Sequence, residues 1–173
     1  VTTASVLNNL GAPPQLMSRC WASMRTMPIR VGHYYDKITG EKLGDSGPFY
    51  PDHEELEWDE VEDIAGTDKN LTEMTTVTKR VRRIFTWSEI QFRKFLRTCQ
   101  PTDIFMNFVN YLDDDITGVC HREDGSEFTE RNFPKVSAFM GELEMQAARE
   151  LGVDLPNFTL LGTGADNEEM IVL

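Results

Sequence analysis

Asp103-Ile104-Phe105-Met106-Asn107-Phe108-Val109-Asn110-Tyr111-Leu112 is an apolar run of strand length, closed off by Pro101 before it and Asp113-Asp114-Asp115 after it. Proline and an acidic turn are boundary signals that favour a strand here over a buried helix. Two asparagines, Asn107 and Asn110, are embedded in it. A buried asparagine needs hydrogen-bond partners. Its amide either satisfies neighbouring backbone or reads a base edge, since it offers both a donor and an acceptor.

Outward from this strand, helical and extended patterns alternate. Before it, Thr86-Trp87-Ser88-Glu89 has the form of a capping box. The helix it predicts turns Ile90, Phe92, Phe95 and Leu96 inward and ends near Cys99. After it, Pro134 opens a helix whose buried face is Val136, Phe139, Met140, Leu143 and Leu151, stopped by Gly152. A strand-like Phe158-Thr159-Leu160-Leu161 follows, then the small-residue loop Gly162-Thr163-Gly164-Ala165 and the apolar end Met170-Ile171-Val172-Leu173. The alternation predicts an α/β layer architecture.

Toward the N-terminus, Pro13 and Pro14 followed by Leu16, Met17, Cys20, Trp21 and Met24 predict a helix over residues 13–27. Met27-Pro28-Ile29-Arg30-Val31-Gly32 reads as extended, and residues 33–52 as a long surface excursion. In residues 53–64 seven acidic side chains alternate with Leu56, Trp58, Val61 and Ile64, a solvated face with an apolar underside. The opening Val1-Thr2-Thr3-Ala4-Ser5-Val6-Leu7 reads as strand-like and without a helix cap, as if cut from a larger protein.

The chain has 173 residues, 40% hydrophobic and 27% charged, with a formal net charge of -12. That is ordinary for a folded domain, and the acidity opposes general binding to nucleic acid or anionic membrane. No apolar run reaches the ~18 residues of a membrane helix, and no signal-peptide pattern is present, so a cytoplasmic location is expected. Cys20, Cys99 and Cys120 are widely spaced with no Cys-x-x-Cys, which predicts reduced thiols. His33, His53 and His121 sit in polar contexts and read as solvated.

Against this acidic background four of the 17 Lys and Arg residues fall within Lys79–Arg83, just after Thr75, Thr76 and Thr78. Forked guanidinium donors with short polar groups recognise small anions. Arg80 and Arg82, two apart, share a side in an extended loop, and the backbone N–H groups of 76–79 add further donors. The same residues also suit a basic turn paired with the acidic segment 54–63. Gly162-Thr163-Gly164 allows a flat ring to lie on backbone, or forms a simple turn. No phosphate-loop, dinucleotide, Gly-x-Ser-x-Gly or His-Glu-x-x-His motif occurs.

Taken together, these segments resemble the adenylosuccinate synthetases. Thr76-Val77-Thr78-Lys79-Arg80-Val81-Arg82-Arg83 resembles their aspartate-binding loop. Val1-Thr2-Thr3, Arg30-Val31-Gly32, Ser46-Gly47-Pro48-Phe49, and Gly162-Thr163-Gly164 with Glu169-Met170-Ile171 match further family motifs in order. The resemblance implies that residues 1–173 are the C-terminal half of such a domain, part of a larger, mainly parallel sheet flanked by helices. It implies a ligase that joins L-aspartate to carbon 6 of a purine monophosphate, usually IMP, using a triphosphate, usually GTP. Residues 76–82 (Thr76, Val77, Thr78, Lys79, Arg80, Val81 and Arg82) would hold aspartate. Thr2, Val31 and Arg80 would bind the monophosphate. Arg82, Phe108, Asn110, Gly162, Thr163 and Gly164 would bind the triphosphate donor. The catalytic residues and the Mg2+ ligands would lie in an N-terminal half, and the enzyme would be a homodimer.

One departure concerns the donor. The family's Thr-Lys-x-Asp reads Asn107-Phe108-Val109-Asn110 here. Aspartate accepts from guanine, whereas asparagine pairs bidentately with an adenine edge. Phe108, in place of lysine, would stack or pack. Met74–Arg80, Met24–Gly32 and this strand resemble the phage-type aminodeoxyadenylosuccinate synthetases, which act on dGMP and use ATP or dATP. The acceptor, IMP or dGMP, and the donor stay open at this level. The alternative is a nucleotide- or anion-binding module without catalysis.

Overall fold

The computed structural model describes residues 2–46, 50–114, 119–121, 127–129, 134–152, 156–164 and 170–173. Val1, Gly47-Pro48-Phe49, Asp115, Ala165 and Glu169 of the motifs above lie outside the described residues, as do the side chains of Cys120, His121 and Leu151.

In chain order the elements are α1 (Thr3–Leu10), a 3-10 turn (Pro14–Leu16), β1 (Trp21–Arg25), β2 (Ile29–Arg30), β3 (Tyr34–Tyr35), β4 (Lys42–Gly44), β5 (Glu55–Leu56), α2 (Trp58–Ala65) and β6 (Arg83–Phe85). Then come α3 (Glu89–Cys99), β7 (Asp103–Asn107), a 3-10 turn (Val109–Tyr111), β8 (Val119–His121), β9 (Glu127–Thr129), α4 (Pro134–Leu151), β10 (Asn157–Gly162) and β11 (Met170–Val172). The main sheet has the order β1-β7-β10-β11. β1, β7 and β10 run parallel, and β11 is an antiparallel edge. The α/β expectation is met, with a mainly parallel sheet and α3 and α4 packed together over it.

β7 is central. Ile104 and Met106 are fully buried against Phe92 and Leu96 of α3, Val136, Leu143 and Ala147 of α4, and Phe158 and Leu161 of β10. Burying each large side chain contributes roughly 1.5–3 kcal/mol. A second core joins Met27, Trp58, Val61, Ile84 and Tyr111 under the small sheet β2-β6-β5. β10 carries a bulge between Phe158 and Leu160, after which Leu160, Leu161 and Gly162 pair with Phe105, Met106 and Asn107.

Several expectations are corrected. Residues 13–27 are not a helix: after the 3-10 turn, Trp21–Arg25 pair residue by residue with Asp103–Asn107. Leu16 is 73% exposed, so the helical spacing of these apolar residues was coincidental. Pairing with a neighbouring strand overrides such short-range periodicity. The opening segment is not strand-like. Thr2 caps α1, its hydroxyl accepting from the Ser5 N–H at 3.0 Å while the Ser5 hydroxyl accepts from the Thr2 N–H.

α3 is capped by Ser88, which accepts from Gln91 N–H at 2.9 Å, and the Thr86 hydroxyl accepts from Glu54 N–H. The cap thus lies two residues later than expected, and Ile90 is exposed, whereas Phe92 and Leu96 are buried as expected. The apolar underside of residues 53–64 is Trp58 and Val61, and Ile64 faces solvent. His53 is buried, its ring stacked on Phe85 at 5.4 Å. Burial holds its pKa down, partly offset by Asp52. Finally, β7 ends at Asn107. Phe108 adopts φ 58°, a left-handed conformation that turns the chain into the 3-10 turn carrying Asn110.

Candidate functional site: a cationic hairpin and the carboxyl edge of the sheet

The basic segment is a hairpin closed by its own polar groups. Thr75 N–H donates to Arg80 C=O at 2.8 Å, and Arg82 N–H to Glu73 C=O at 2.9 Å. At the tip Lys79 takes φ 51° and gives its N–H to Thr75 C=O. The Thr75 hydroxyl accepts from Arg80 N–H at 3.0 Å and bonds the Thr78 hydroxyl at 2.6 Å. The expected row of amides is therefore shortened: the N–H of Lys79 is used internally. Those of Thr76, Val77 and Thr78 have no protein acceptor among the described residues.

The hairpin faces Val31–Gly32. Thr75, Thr76, Val77, Thr78, Arg80 and Arg82 line, with Val31, Gly32 and Tyr34, an open cleft of about 370 Å³. Gly32 permits the approach, because an added Cβ would lie 3.3 Å from Val81 C=O and 3.8 Å from Arg80 Cβ. Val31 C=O accepts from the Ser46 hydroxyl, which fixes this wall. Arg82 Nε is buried with no acceptor among the described residues. Arg82 C=O accepts from the Trp58 indole at 2.8 Å, tying the hairpin to α2.

The cluster splits in two. Arg83 makes a forked pair with Glu55, 2.6 Å at each arm, and its side chain is only 6% exposed. Its guanidinium bonds, opposed in part by burial, hold the Glu55 carboxyl below its ordinary pKa. The acidic segment thus takes Arg83 for structure, and Arg80 and Arg82 line the cleft.

The second region is where the parallel strands end. Arg25, Asn107 and Gly162 are register partners across β1, β7 and β10. Carboxyl ends of parallel strands are where open α/β sheets bind ligands. The two asparagines realise different readings. Asn107 is structural, its amide donating to the Ser23 hydroxyl at 2.7 Å and Met24 C=O at 3.4 Å. A Cβ at Gly162 would meet Asn107 Oδ1 at 2.9 Å, so this glycine makes room for protein rather than for a ring. Asn110 is buried, and its Oδ1 has no partner among the described residues. The Asn110 turn packs against β10, which leads into Thr163 and Gly164.

Phe108 packs: its ring lies under the Arg25 guanidinium at 3.6 Å and against Tyr111 at 5.2 Å. Thr2 is not brought to the hairpin cleft. It lines a separate hollow with Val6, Met17, Trp21 and Cys99. Sequence reasoning missed Arg25, Glu73, Tyr111 and the Trp58 tie, because each acts through a partner distant in the chain. Among the described residues no group of three or more His, Cys, Asp or Glu side chains is placed to hold a metal ion. No helix among them is long and apolar enough to cross a membrane.

No family model matches the chain. It is 37% identical over 158 residues to the N6-succino-2-amino-2'-deoxyadenylate synthase of Salmonella phage PMBT28, covering 90% of this chain and 35% of that protein. It is 40% identical over 111 residues to the same synthase of Vibrio phage phiVC8, covering 64% of this chain and 27% of that one. In structure it matches the succinoaminodeoxyadenylate synthetase of cyanophage S-2L, solved bound to dGMP and to dATP as an energy donor. That match has a TM-score of 0.64 at 26% identity and covers 99% of this chain and 39% of the other. The chain spans about a third of the length of the relatives it matches.

Proposed function

For this homologue of the phage N6-succino-2-amino-2'-deoxyadenylate synthases, we propose the role of the aspartate- and base-binding part of a carbon–nitrogen ligase. The reaction joins L-aspartate to carbon 6 of a purine monophosphate, dGMP in preference to IMP, at the expense of ATP or dATP. The observation that carries this reading is the cleft in which Arg80, Arg82 and the amides of 76–78 meet Val31–Gly32.

Aspartate brings two carboxylates and one reactive amine. Arginine forks and free amides hold the carboxylates, which leaves the amine pointed at the purine. Orienting a nucleophile this way removes much of the entropic part of a bimolecular barrier. The donor phosphorylates the 6-oxygen of the purine, the neutral amine attacks carbon 6, and the phosphate leaves with that oxygen. Arg82, beside the developing phosphate charge, supplies electrostatic stabilisation. Arg80 spans aspartate and the ribose of the acceptor, which rests on Val31. Thr2, at the start of α1, serves the acceptor phosphate.

Asn110 reads the donor base. Its Oδ1 accepts from the adenine amino group and its amide donates to the ring nitrogen, with Thr163 and Gly164 flanking. In this reading the catalytic acid–base groups and the Mg2+ ligands are supplied from outside residues 1–173, and the 173-residue chain alone is expected to show no ligase turnover. A homodimer, in the host cytoplasm, is the expected assembly.

Calorimetric titration tests the cleft. L-Aspartate should bind the chain, and Arg80→Ala should weaken it at least ten-fold. Unchanged binding would overturn the assignment. Donor competition tests the base: a strong preference for GTP over dATP would sink the adenine reading, and turnover by the chain alone would sink the division of labour.

A further inference from the structure

Between the hairpin and the Asn110 turn lies one carboxylate that neither ligand would touch. Glu73 holds the hairpin through its backbone, accepting Arg82 N–H at 2.9 Å. Its side chain reaches the other region. Glu73 Oε1 pairs with the Arg25 guanidinium and accepts from the Tyr111 hydroxyl at 2.7 Å. Glu73 and Arg25 are about four-fifths buried, with side-chain exposures of 20% and 21%, and Tyr111 is 3% exposed.

These partners fix the base-reading turn from both sides. Arg25 lies over the Phe108 ring at 3.6 Å, within cation–π range. Thr26 donates its hydroxyl to Phe108 C=O at 2.6 Å. Phe108 is the residue held at φ 58°, where a bulky side chain is strained and must be kept in place by its neighbours. Tyr111 follows Asn110 directly and packs edge-on against Trp58, whose indole holds Arg82 C=O. Burial first, then the Glu73 carboxylate, keep the Tyr111 phenol well above its ordinary pKa, so it remains a donor.

We propose that Glu73 is a positioning residue that joins the aspartate hairpin to the donor-base turn, so that filling one site sets the geometry of the other. This rests on the reading above for the identity of the two ligands, but the junction itself is a property of the protein. Its consequence is positive coupling: dATP seated at Asn110 orders Phe108–Tyr111, Tyr111 and Arg25 hold Glu73, and the hairpin closes on aspartate. Linkage requires aspartate to tighten dATP by the same factor.

The test has two arms. Amide hydrogen exchange on the ligand-free chain compares wild type with Glu73→Gln and Tyr111→Phe. Glu73→Gln keeps an acceptor for Tyr111 but removes the charge facing Arg25. Both variants should speed exchange at least ten-fold at Arg82 and in residues 108–112 together, with Leu96, Ile104 and Met106 unchanged. Acceleration in only one region, or none, overturns the junction. In the second arm, spectra are followed as dATP is added. In wild type the shifts at 108–112 should extend to 75–82, and aspartate should bind several-fold tighter. In Glu73→Gln the shifts should stop at the turn and aspartate affinity should not respond. Equal propagation in both proteins overturns the proposal. A wild-type chain unmoved by dATP at 108–112 defeats the donor reading and the ligand coupling with it, and the exchange arm still decides the junction.

Discussion

The hairpin at 73–82 and the carboxyl edge of the sheet are built on opposite plans. The hairpin closes through bonds between residues a few positions apart and most of its side chains are exposed, with Glu73 and the Arg82 carbonyl as its anchors to the rest of the fold. The edge is assembled from β1, β7 and β10, whose ends meet only through strand register. A local structure tolerates loss of a ligand-facing side chain, whereas a register-built one transmits any change in volume or charge. The two regions should therefore fail differently when altered.

The largest effect belongs to the pair that separates structural from cleft-lining arginines. Glu55→Ala leaves Arg83 buried without its carboxylate and should cost about 3 kcal/mol, the low end for a broken buried pair because Glu55 is partly exposed. Urea denaturation measures it. Next is the edge: Gly162→Ala pushes a methyl group to 2.9 Å from Asn107 Oδ1, for a loss of about 2 kcal/mol. An equal loss from Gly32→Ala, where the closest contact is 3.3 Å, would erase the distinction between the two plans.

Asn110→Asp should move donor preference from adenine toward guanine by about ten-fold or more, the scale of a bidentate base contact. Competition binding of dATP and GTP reads it. Arg80→Ala, on the exposed hairpin, should change stability by less than about 0.5 kcal/mol while weakening aspartate. A large loss of stability would show that the hairpin is not local.

The smallest effect is a pH dependence. The folded pKa of Glu55 is depressed, so its contribution is complete above the unfolded value and is lost as pH falls through the folded one. Stability of the wild type should fall below about pH 4 through this group, and Glu55→Gln should lack that component.

What could be read from the sequence follows the same division. The hairpin was visible because its charges and threonines are contiguous, and α3, α4 and β7 were visible from periodicity and flanking prolines. At the edge, Asn107 and Asn110 look alike in sequence. Only the left-handed turn at Phe108, and the neighbours Ser23 and Met24 brought by β1, make one structural and leave the Oδ1 of the other without a partner among the described residues. β1 itself was misread as helix because its partner strand lies some eighty residues downstream.

The bulge in β10 acts as a phase adjuster. Side chains alternate along a strand, so a register slip of one residue would exchange faces, and a bulge takes up the extra residue without one. If the strand were unbulged and Thr159 took a pairing position of its own, Leu161 would stand opposite Asn107 and Gly162 would lie one step beyond it. The only side chain small enough for the Asn107 amide would then be one step out of place. Straightening the bulge with Thr159 retained is thus a timing error rather than a lost contact, whereas deleting Thr159 leaves Gly162 opposite Asn107.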